Sequence, residues 1–497
     1  MLVSHFCVLY DQGSSNTPCQ LEYIYKKPKL LMSCVFGIVF IVFGNLAGNA
    51  IQFGVFMQAA ISPGCNEDDP CFNKGAVLGW ATTVLTLCAL INIATRRLAI
   101  GLNNAFAIVK VLMVTIIAIV GIIYGTVNGD GCRNISWGNK GASGEFGDIV
   151  LALFFAMYPY TGYEQPFYVL AEVKQPRRIF AKYVIFAMLF VMVLFPLTNV
   201  GYLCMVPYPD NNSLEDNDNM ALALFQRIAR DRKESHDGMG SRQAVSVVLA
   251  LFIFGNIMAQ TFTASRVKQE IAKEGILPWS LQLASGSNSL LSRLSSSNRQ
   301  PAINNINHHL EQVPIAATFL HWVFEIVLVL LFGIPIKPST LYRALTYLKT
   351  FSIVGVLGLF TVLGLLSLKM DSRIRGGKGR RWHEKVDWRP WLDPLPNLVA
   401  CAALGFILFA TFAPPSVSRP KEELPYWCGP VTGWAVTFLG VVWWLGLRFV
   451  QWKGRWELLV RRVPYIEIDH QGEPIQKAEF VEHERIPIVG SVRKRHG

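Results

Sequence analysis

Apolar residues along this chain gather into ten long blocks separated by short polar or charged connections. The blocks lie near residues 30–60, 76–94, 103–124, 149–171, 179–205, 244–265, 314–334, 344–368, 396–412 and 430–447. About 20 helical residues cross a hydrocarbon core of about 30 Å. A segment in lipid must satisfy its own backbone N–H and C=O groups, so each block predicts a helix. The expected fold class is an all-α multi-pass membrane protein with about ten transmembrane helices.

The fourth block carries the strongest internal punctuation, Tyr158-Pro159-Tyr160-Thr161-Gly162-Tyr163-Glu164-Gln165-Pro166. Two prolines and a glycine in this short run free backbone groups that a continuous helix would pair. At membrane depth such a break persists where it is buried in protein or lines a cavity, and half-helix ends then offer N–H or C=O groups and a dipole to a ligand. Tyr158, Tyr160, Thr161, Gly162 and Tyr163 are therefore candidate substrate-binding residues. An ordinary proline kink is the plainer reading of the same residues. Their aromatic and small side chains suit a neutral substrate, and Glu164 reads as a packing or gating residue.

Other polar residues interrupt the apolar blocks. Lys110 in the third block either faces the bundle interior, where intramembrane charge is usually functional, or snorkels to the interface. Asn45, Asn49 and Gln52 fall on one face of the first helix, and Asn256, Gln260 and Thr263 repeat the spacing in the sixth. Such stripes line a polar path or act as interhelical hydrogen-bonding glue. Asn256 and Gln260 are assigned to transport and coupling, and Asn45, Asn49 and Gln52 to a polar path or packing.

Composition sharpens this picture. The 497 residues are 52% hydrophobic and 16% charged, against about 25% charged in soluble proteins. Much of the net charge of +12 sits in alternate connections, such as Arg96-Arg97, Arg177-Arg178 with Lys182, Arg266 with Lys268 and Lys273, and the cluster from Lys369 to Arg389. Basic connections stay on the cytoplasmic side, which predicts that both termini are cytoplasmic. Charge placed at helix ends, and not on one soluble face, argues against nucleic-acid binding. The sequons at Asn134 and Asn211 fall on predicted outer connections as glycosylation candidates. Cys65 and Cys71 fall there too, spaced for a small disulfide or left as free thiols.

The domain reading follows. Residues 1–29 form a cytoplasmic N-terminal segment and 30–447 the transmembrane domain. Within it, 280–312 is rich in Ser and Asn and predicts a disordered cytoplasmic insertion. His308 and His309 within it are too few for a metal site. Residues 448–497 form a cytoplasmic tail, with Trp456, Leu458, Leu459 and Val460 as a short amphipathic turn on the membrane surface and the rest flexible. No phosphate-binding loop, zinc-binding helix or GxSxG turn is present, which argues against an enzyme or an ATP-driven pump and implies no cofactor.

Several motifs carry a family resemblance. They are 21–31 followed by Gly44-Asn45-Leu46-Ala47-Gly48-Asn49; Tyr160-Thr161-Gly162-Tyr163 followed by 172–177; Ser265-Arg266 with Ala272-Lys273-Glu274-Gly275-Ile276-Leu277-Pro278; and Pro314 with Leu320-His321-Trp322. In this order they resemble the amino acid–polyamine–organocation (APC) transporters, L-type group, fungal methionine permease branch. The resemblance implies two inverted five-helix repeats plus two further helices, the LeuT-like fold, and secondary active uptake of a neutral L-amino acid such as methionine. It implies alternating access, a proton as coupling ion, and a plasma-membrane location in a lipid bilayer. It places residues 158–163 around the substrate and makes Lys110 the counterpart of a fifth-helix lysine that stands where related carriers hold sodium. The family's first two helices, with a Gly-Ser-Gly-like break for the substrate carboxylate, have no counterpart here. The alternative expectation is a truncated, non-transporting membrane protein with an assembly or binding role.

Overall fold

The structure, a computed structural model, describes residues 21–22, 24–25, 27–65, 67, 69–127, 145–169, 176–205, 224, 238–288, 312–374, 394–414, 425–468 and 474–487. All ten apolar blocks contain helix. In chain order the helices are α1 (Leu31–Phe43), α2 (Ala47–Ile61), α3 (Lys74–Ala94), α4 (Arg96–Val127), α5 (Phe146–Met157), α6 (Gln165–Tyr168), α7 (Pro176–Met205) and α8 (Gly238–Lys273). Then come α9 (Ser280–Ala284), α10 (Ile315–Gly333), α11 (Pro338–Lys349), α12 (Gly358–Ile374), α13 (Pro394–Ala410) and α14 (Cys428–Gly454). A π-helical stretch, Thr350–Leu357, joins α11 to α12. Among the described residues eight helices are long and apolar enough to cross a membrane, and two shorter apolar helices lie at Phe146–Tyr160 and Pro394–Ala410. The first of these is short because its block breaks at Tyr158.

The first block departs from a continuous helix. It is split at residues 44–46, where the Gly44 amide closes α1 on the Phe40 carbonyl. Asn45 then holds the gap, its Nδ2 donating to the Val42 carbonyl at 2.6 Å and its Oδ1 accepting from the Ala47 amide at 3.1 Å. Asn45 thus bonds its own chain two residues on, as Asn does in an Asx turn, and sits outside α2, so it does not share a continuous helical stripe with Asn49 and Gln52.

This broken span is the centre of the molecule. Of its most apolar stretch 83% is buried, against 17% for α4, α7 and α14. Phe36, Phe40 and Val39 of α1 meet Ile271 and Val267 of α8 and Ile353 of the π stretch in one core cluster. Ala47 and Ile51 of α2 meet Val77 and Leu85 of α3, Ile257 of α8 and Val329 of α10 in a second. The outer helices expose large apolar side chains, Ile108 at 62% and Phe186 at 70% among them, the surface that hydrocarbon covers. α4 and α7 approach closely through small residues: a Cβ on Gly201 would sit 3.0 Å from the Ile117 carbonyl oxygen.

Before α1, Glu22 caps the helix start, accepting from the Leu30 amide at 2.7 Å and the Ser33 hydroxyl at 3.2 Å. Burial raises the Glu22 carboxyl above the ordinary carboxylate value, against the opposing pull of those two donors. Cys65 and Cys71 are joined in a disulfide, with Cα atoms 5.8 Å apart.

Two soluble segments differ from expectation. The 280–312 region is ordered at both ends: α9 begins it, and Ser287–Asn288 (β1) pairs antiparallel with Gln312–Val313 (β2). Its middle, 289–311, with His308 and His309, lies outside the described residues. The tail is not a surface turn with a flexible end. Trp456–Ile468 (β3) and Pro474–Pro487 (β4) form an antiparallel hairpin, with Trp456 opposite Pro487. Arg462 supplies the anchor, reaching Glu270 at 3.3 Å and Glu274 at 2.6 Å at the end of α8. His483 adds contacts to the Lys273 carbonyl at 2.9 Å and the Ser280 hydroxyl at 3.1 Å. Cross-strand pairing and these partners, invisible in local sequence, turn Leu458, Leu459 and Val460 into strand residues.

Candidate functional site

Two helix breaks face each other inside the bundle. One is the 44–46 gap between α1 and α2. The other follows α5: a 3₁₀ turn at Tyr158–Tyr160, an extended Thr161, then Gly162 at φ +101°, leading into α6. Pro159 sits at the start of the 3₁₀ turn, where its missing N–H leaves no helical bond unmade. Gly162 occupies a left-handed conformation that side-chain-bearing residues rarely adopt. Its amide donates to Glu164 Oε2 at 3.0 Å, and the Thr161 hydroxyl donates to the Tyr158 carbonyl at 2.8 Å.

The breaks are joined through side chains. The Tyr158 hydroxyl donates to Asn49 Oδ1 at 3.1 Å and also hydrogen-bonds with Tyr342 and Thr346 of α11. Gly48, beside Asn49, allows this approach, since a Cβ there would lie 3.2 Å from Leu345 Cβ. On the other side of the break Gln165 accepts from the Thr263 hydroxyl of α8 at 2.5 Å. The Tyr163 hydroxyl lies beside Gly358, 3.7 Å from where a Cβ would stand. Tyr160 points outward, 40% exposed, and packs edge-on against Phe195 of α7 with ring centres 5.4 Å apart.

Lys110 reaches across from α4 to α8, its ammonium donating to Asn256 Oδ1 at 2.5 Å. Gly255 leaves room for it: a Cβ there would stand 3.3 Å from Lys110 Nζ. Gln260, one turn further along α8, is buried. Asn49 is buried on α2 and Gln52 is half-buried one turn beyond it. The structure thus brings Tyr158 to Asn49 and Lys110 to Asn256, while Asn45 serves its own helix gap. Asn134 and Asn211 lie outside the described residues. Among the described residues no group of three or more His, Cys, Asp or Glu side chains is arranged to hold a metal ion.

Three further ionisable residues meet in the bundle where the charge pattern shows only a basic connection and an apolar helix. Lys268 is fully buried on α8, beside His321 and Glu325 of α10, also buried. The loop-side reading of Lys268 fails because α8 continues to Lys273, leaving Lys268 inside the packed helix. His321 and Glu325 are spaced i,i+4, the one local signal that they share a helix face.

The sequence model of a family described as amino acid permease matches residues 17–437. The chain is 23% identical over 440 residues to the high-affinity methionine permease of Saccharomyces cerevisiae, covering 87% of this chain and 66% of that protein. It is 22% identical over 270 residues to the low-affinity methionine permease of the same yeast, covering 53% of this chain and 46% of that protein. Against the b(0,+)-type amino acid transporter 1 of Oryctolagus cuniculus the match is 24% over 225 residues, 45% of this chain and 42% of that protein. The chain therefore spans at most about two thirds of the length of these relatives.

Proposed function

The chain belongs to the amino acid permease family, and on that premise we propose that it carries neutral L-amino acids of the methionine type by secondary active, proton-coupled alternating access. Two yeast methionine permeases among its relatives support the substrate class. The observation that carries the reading is the Tyr158–Asn49 bond between two interrupted helices, the arrangement in which half-helix termini serve ligands in secondary transporters. Backbone groups at 161–163 line the substrate, and Tyr158 and Tyr163 flank its side chain. Lys110, held by Asn256, is the fixed cation of the coupling machinery, with Gln260 on the same helix. We place the protein in the plasma membrane with both termini cytoplasmic.

The test is radiolabelled methionine uptake in transporter-deficient yeast expressing this chain, with surface level measured alongside. Saturable uptake that collapses with a protonophore supports the reading. A chain present at the surface that takes up no methionine sinks it. A second reading, a family member that binds or assembles without transport, draws on the exposure of Tyr160 and Tyr163, 40% and 36%; methionine binding without uptake is its signature.

A further inference from the structure

We propose that Lys268, His321 and Glu325 form a buried proton-binding relay that sets the grip of α10 on the helix break at 44–46. Its coupling to amino acid carriage rests on the proposed symport; its own proton chemistry does not.

The geometry fixes the roles. Lys268 Nζ lies 2.9 Å from His321 Nδ1. An ammonium can only donate, so Nδ1 is the acceptor and the imidazole proton sits on Nε2. His321 Nε2 faces Glu325 Oε1 at 3.5 Å and, among the described residues, makes no hydrogen bond. Glu325 Oε1 in turn accepts from the Leu46 amide at 3.2 Å, a backbone donor left free where α2 starts. All three side chains are essentially unexposed, at 0%, 0% and 1%. Buried charges are retained where they are paired, and ionisable chains inside membranes mark proton relays.

The charged and titratable neighbours come from every element packed around them. Lys349 at the end of α11 acts electrostatically on both His321 and Glu325, and Glu164 in the second break acts on Lys349. Cys88 of α3 lies within electrostatic reach of Glu325. Lys268 also lies 5.9 Å from the centre of the Phe324 ring. Residues 44–46 contribute a backbone donor and no titratable side chain.

Proton binding runs through the histidine. His321 Nε2 gives its proton to the Glu325 carboxylate, Nδ1 takes one from the Lys268 ammonium, and the neutral amine, turning off the protonated Nδ1, regains one from a solvent hydronium ion. The net change is one proton bound, one carboxyl O–H formed and one positive charge gained. A neutral carboxyl is a weaker acceptor than a carboxylate, so Leu46 is held less firmly. Asn49, three residues on, carries that loosening to Tyr158.

The full chain in lipid nanodiscs tests this by infrared spectroscopy and amide hydrogen exchange across about pH 5–8. Wild type is expected to show a carboxylic acid C=O band that grows as pH falls and is missing in Glu325→Gln. Leu46 exchange, corrected for its intrinsic pH dependence, is expected to quicken about tenfold on the acid side, the difference between a charged and a neutral acceptor. A band that persists in Glu325→Gln, or Leu46 protection unchanged across the titration, overturns the relay. The Leu46 measurement needs no substitution, so it decides even if Glu325→Gln does not fold. Methionine binding separates the two readings. A pH profile of binding that is the same in wild type and Glu325→Gln overturns the coupling and leaves the transport reading standing. A wild type that shows the band and the Leu46 response without binding methionine upholds the relay and counts against the transport reading.

Discussion

The Tyr158 hydroxyl and the Asn49 amide oxygen, 3.1 Å apart, tie the two interrupted helices of the bundle together. Tyr158→Phe removes the donor and leaves a buried amide oxygen short of a partner, at a cost of about 1–3 kcal/mol. Methionine affinity should fall about tenfold to a hundredfold on that basis. Asn49→Ala should act in the same direction, and the double variant should be no worse than Tyr158→Phe, which loses the shared bond and those to Tyr342 and Thr346. Additive losses in binding titrations would mean the two residues act separately.

Lys110 and Asn256 form another long-range contact of the site, 2.5 Å across α4 and α8. Lys110→Ala should abolish uptake while surface levels stay near wild type, since α4 is an outer helix whose neighbours lose little packing. Asn256→Ala keeps the charge and loses only its partner, so uptake should fall about tenfold, the value of one charge-assisted hydrogen bond. Uptake unchanged in Lys110→Ala would remove that lysine from the mechanism.

Gly162 separates backbone strain from steric block. Its φ is +101°, but a Cβ there would meet only Gln165 Cγ at 3.8 Å. Gly162→Ala therefore fits the space and strains the chain, by about 1–2 kcal/mol or more. A modest drop in thermal stability with a larger drop in uptake is expected, because the strain falls on the break itself. Normal uptake kinetics would make the break a structural kink.

Arg462 anchors the hairpin between two carboxylates. Arg462→Ala leaves Glu270 and Glu274 without this guanidinium, and breaking a buried pair on one side costs about 3 kcal/mol. Lys273 remains beside Glu270 at 2.5 Å and softens the loss. A lower melting temperature and faster proteolysis at 456–487 are expected; unchanged proteolysis would show that the hairpin is held elsewhere.

Glu22 yields a pH dependence with a definite sign. Its folded value is raised by burial, so its proton-linked stabilisation is full below the unfolded value of about 4.3 and fades as pH rises through the folded one. Glu22→Gln does not titrate. The melting temperature of the variant minus that of wild type should therefore grow more positive as pH rises from about 4 to about 7. A difference that is flat or falls with pH would mean that Glu22 keeps an ordinary or lowered value.

What the sequence disclosed follows the reach of its signals. The ten apolar blocks were visible because lipid imposes length and composition on each one separately. The second break was visible because Pro159, Gly162 and Pro166 are local breakers. The first break was not: Gly44 and Asn45 are mild punctuation in a membrane helix, and the gap is held partly by Glu325, 279 residues away. Lys268 was hidden in the same way. Beside Arg266 and Lys273 it counts as interface charge, and only the continuation of α8 and the approach of His321 put it in the interior. Arg266 shows the pattern again, 7% exposed with its guanidinium 3.5 Å from the centre of the Phe262 ring. The hairpin depends on pairing and on Glu270 and Glu274, which no window of the tail contains.

The Lys29 contacts bear on how the chain is made. The Lys29 carbonyl accepts from Trp444 Nε1 at 2.9 Å and from an Arg448 guanidinium nitrogen at 3.1 Å, and its ammonium pairs with Glu457 at 2.7 Å. The Trp444 partner lies 415 residues later in the chain. At about 5–20 residues per second that separation takes the ribosome about 20–80 s. For that whole interval the lead-in to α1 sits in the nascent membrane protein without its final neighbours. α14 closes over the lead-in to α1 only after that interval, so this packing forms late in biogenesis, and quality-control factors have that window in which to bind the lead-in.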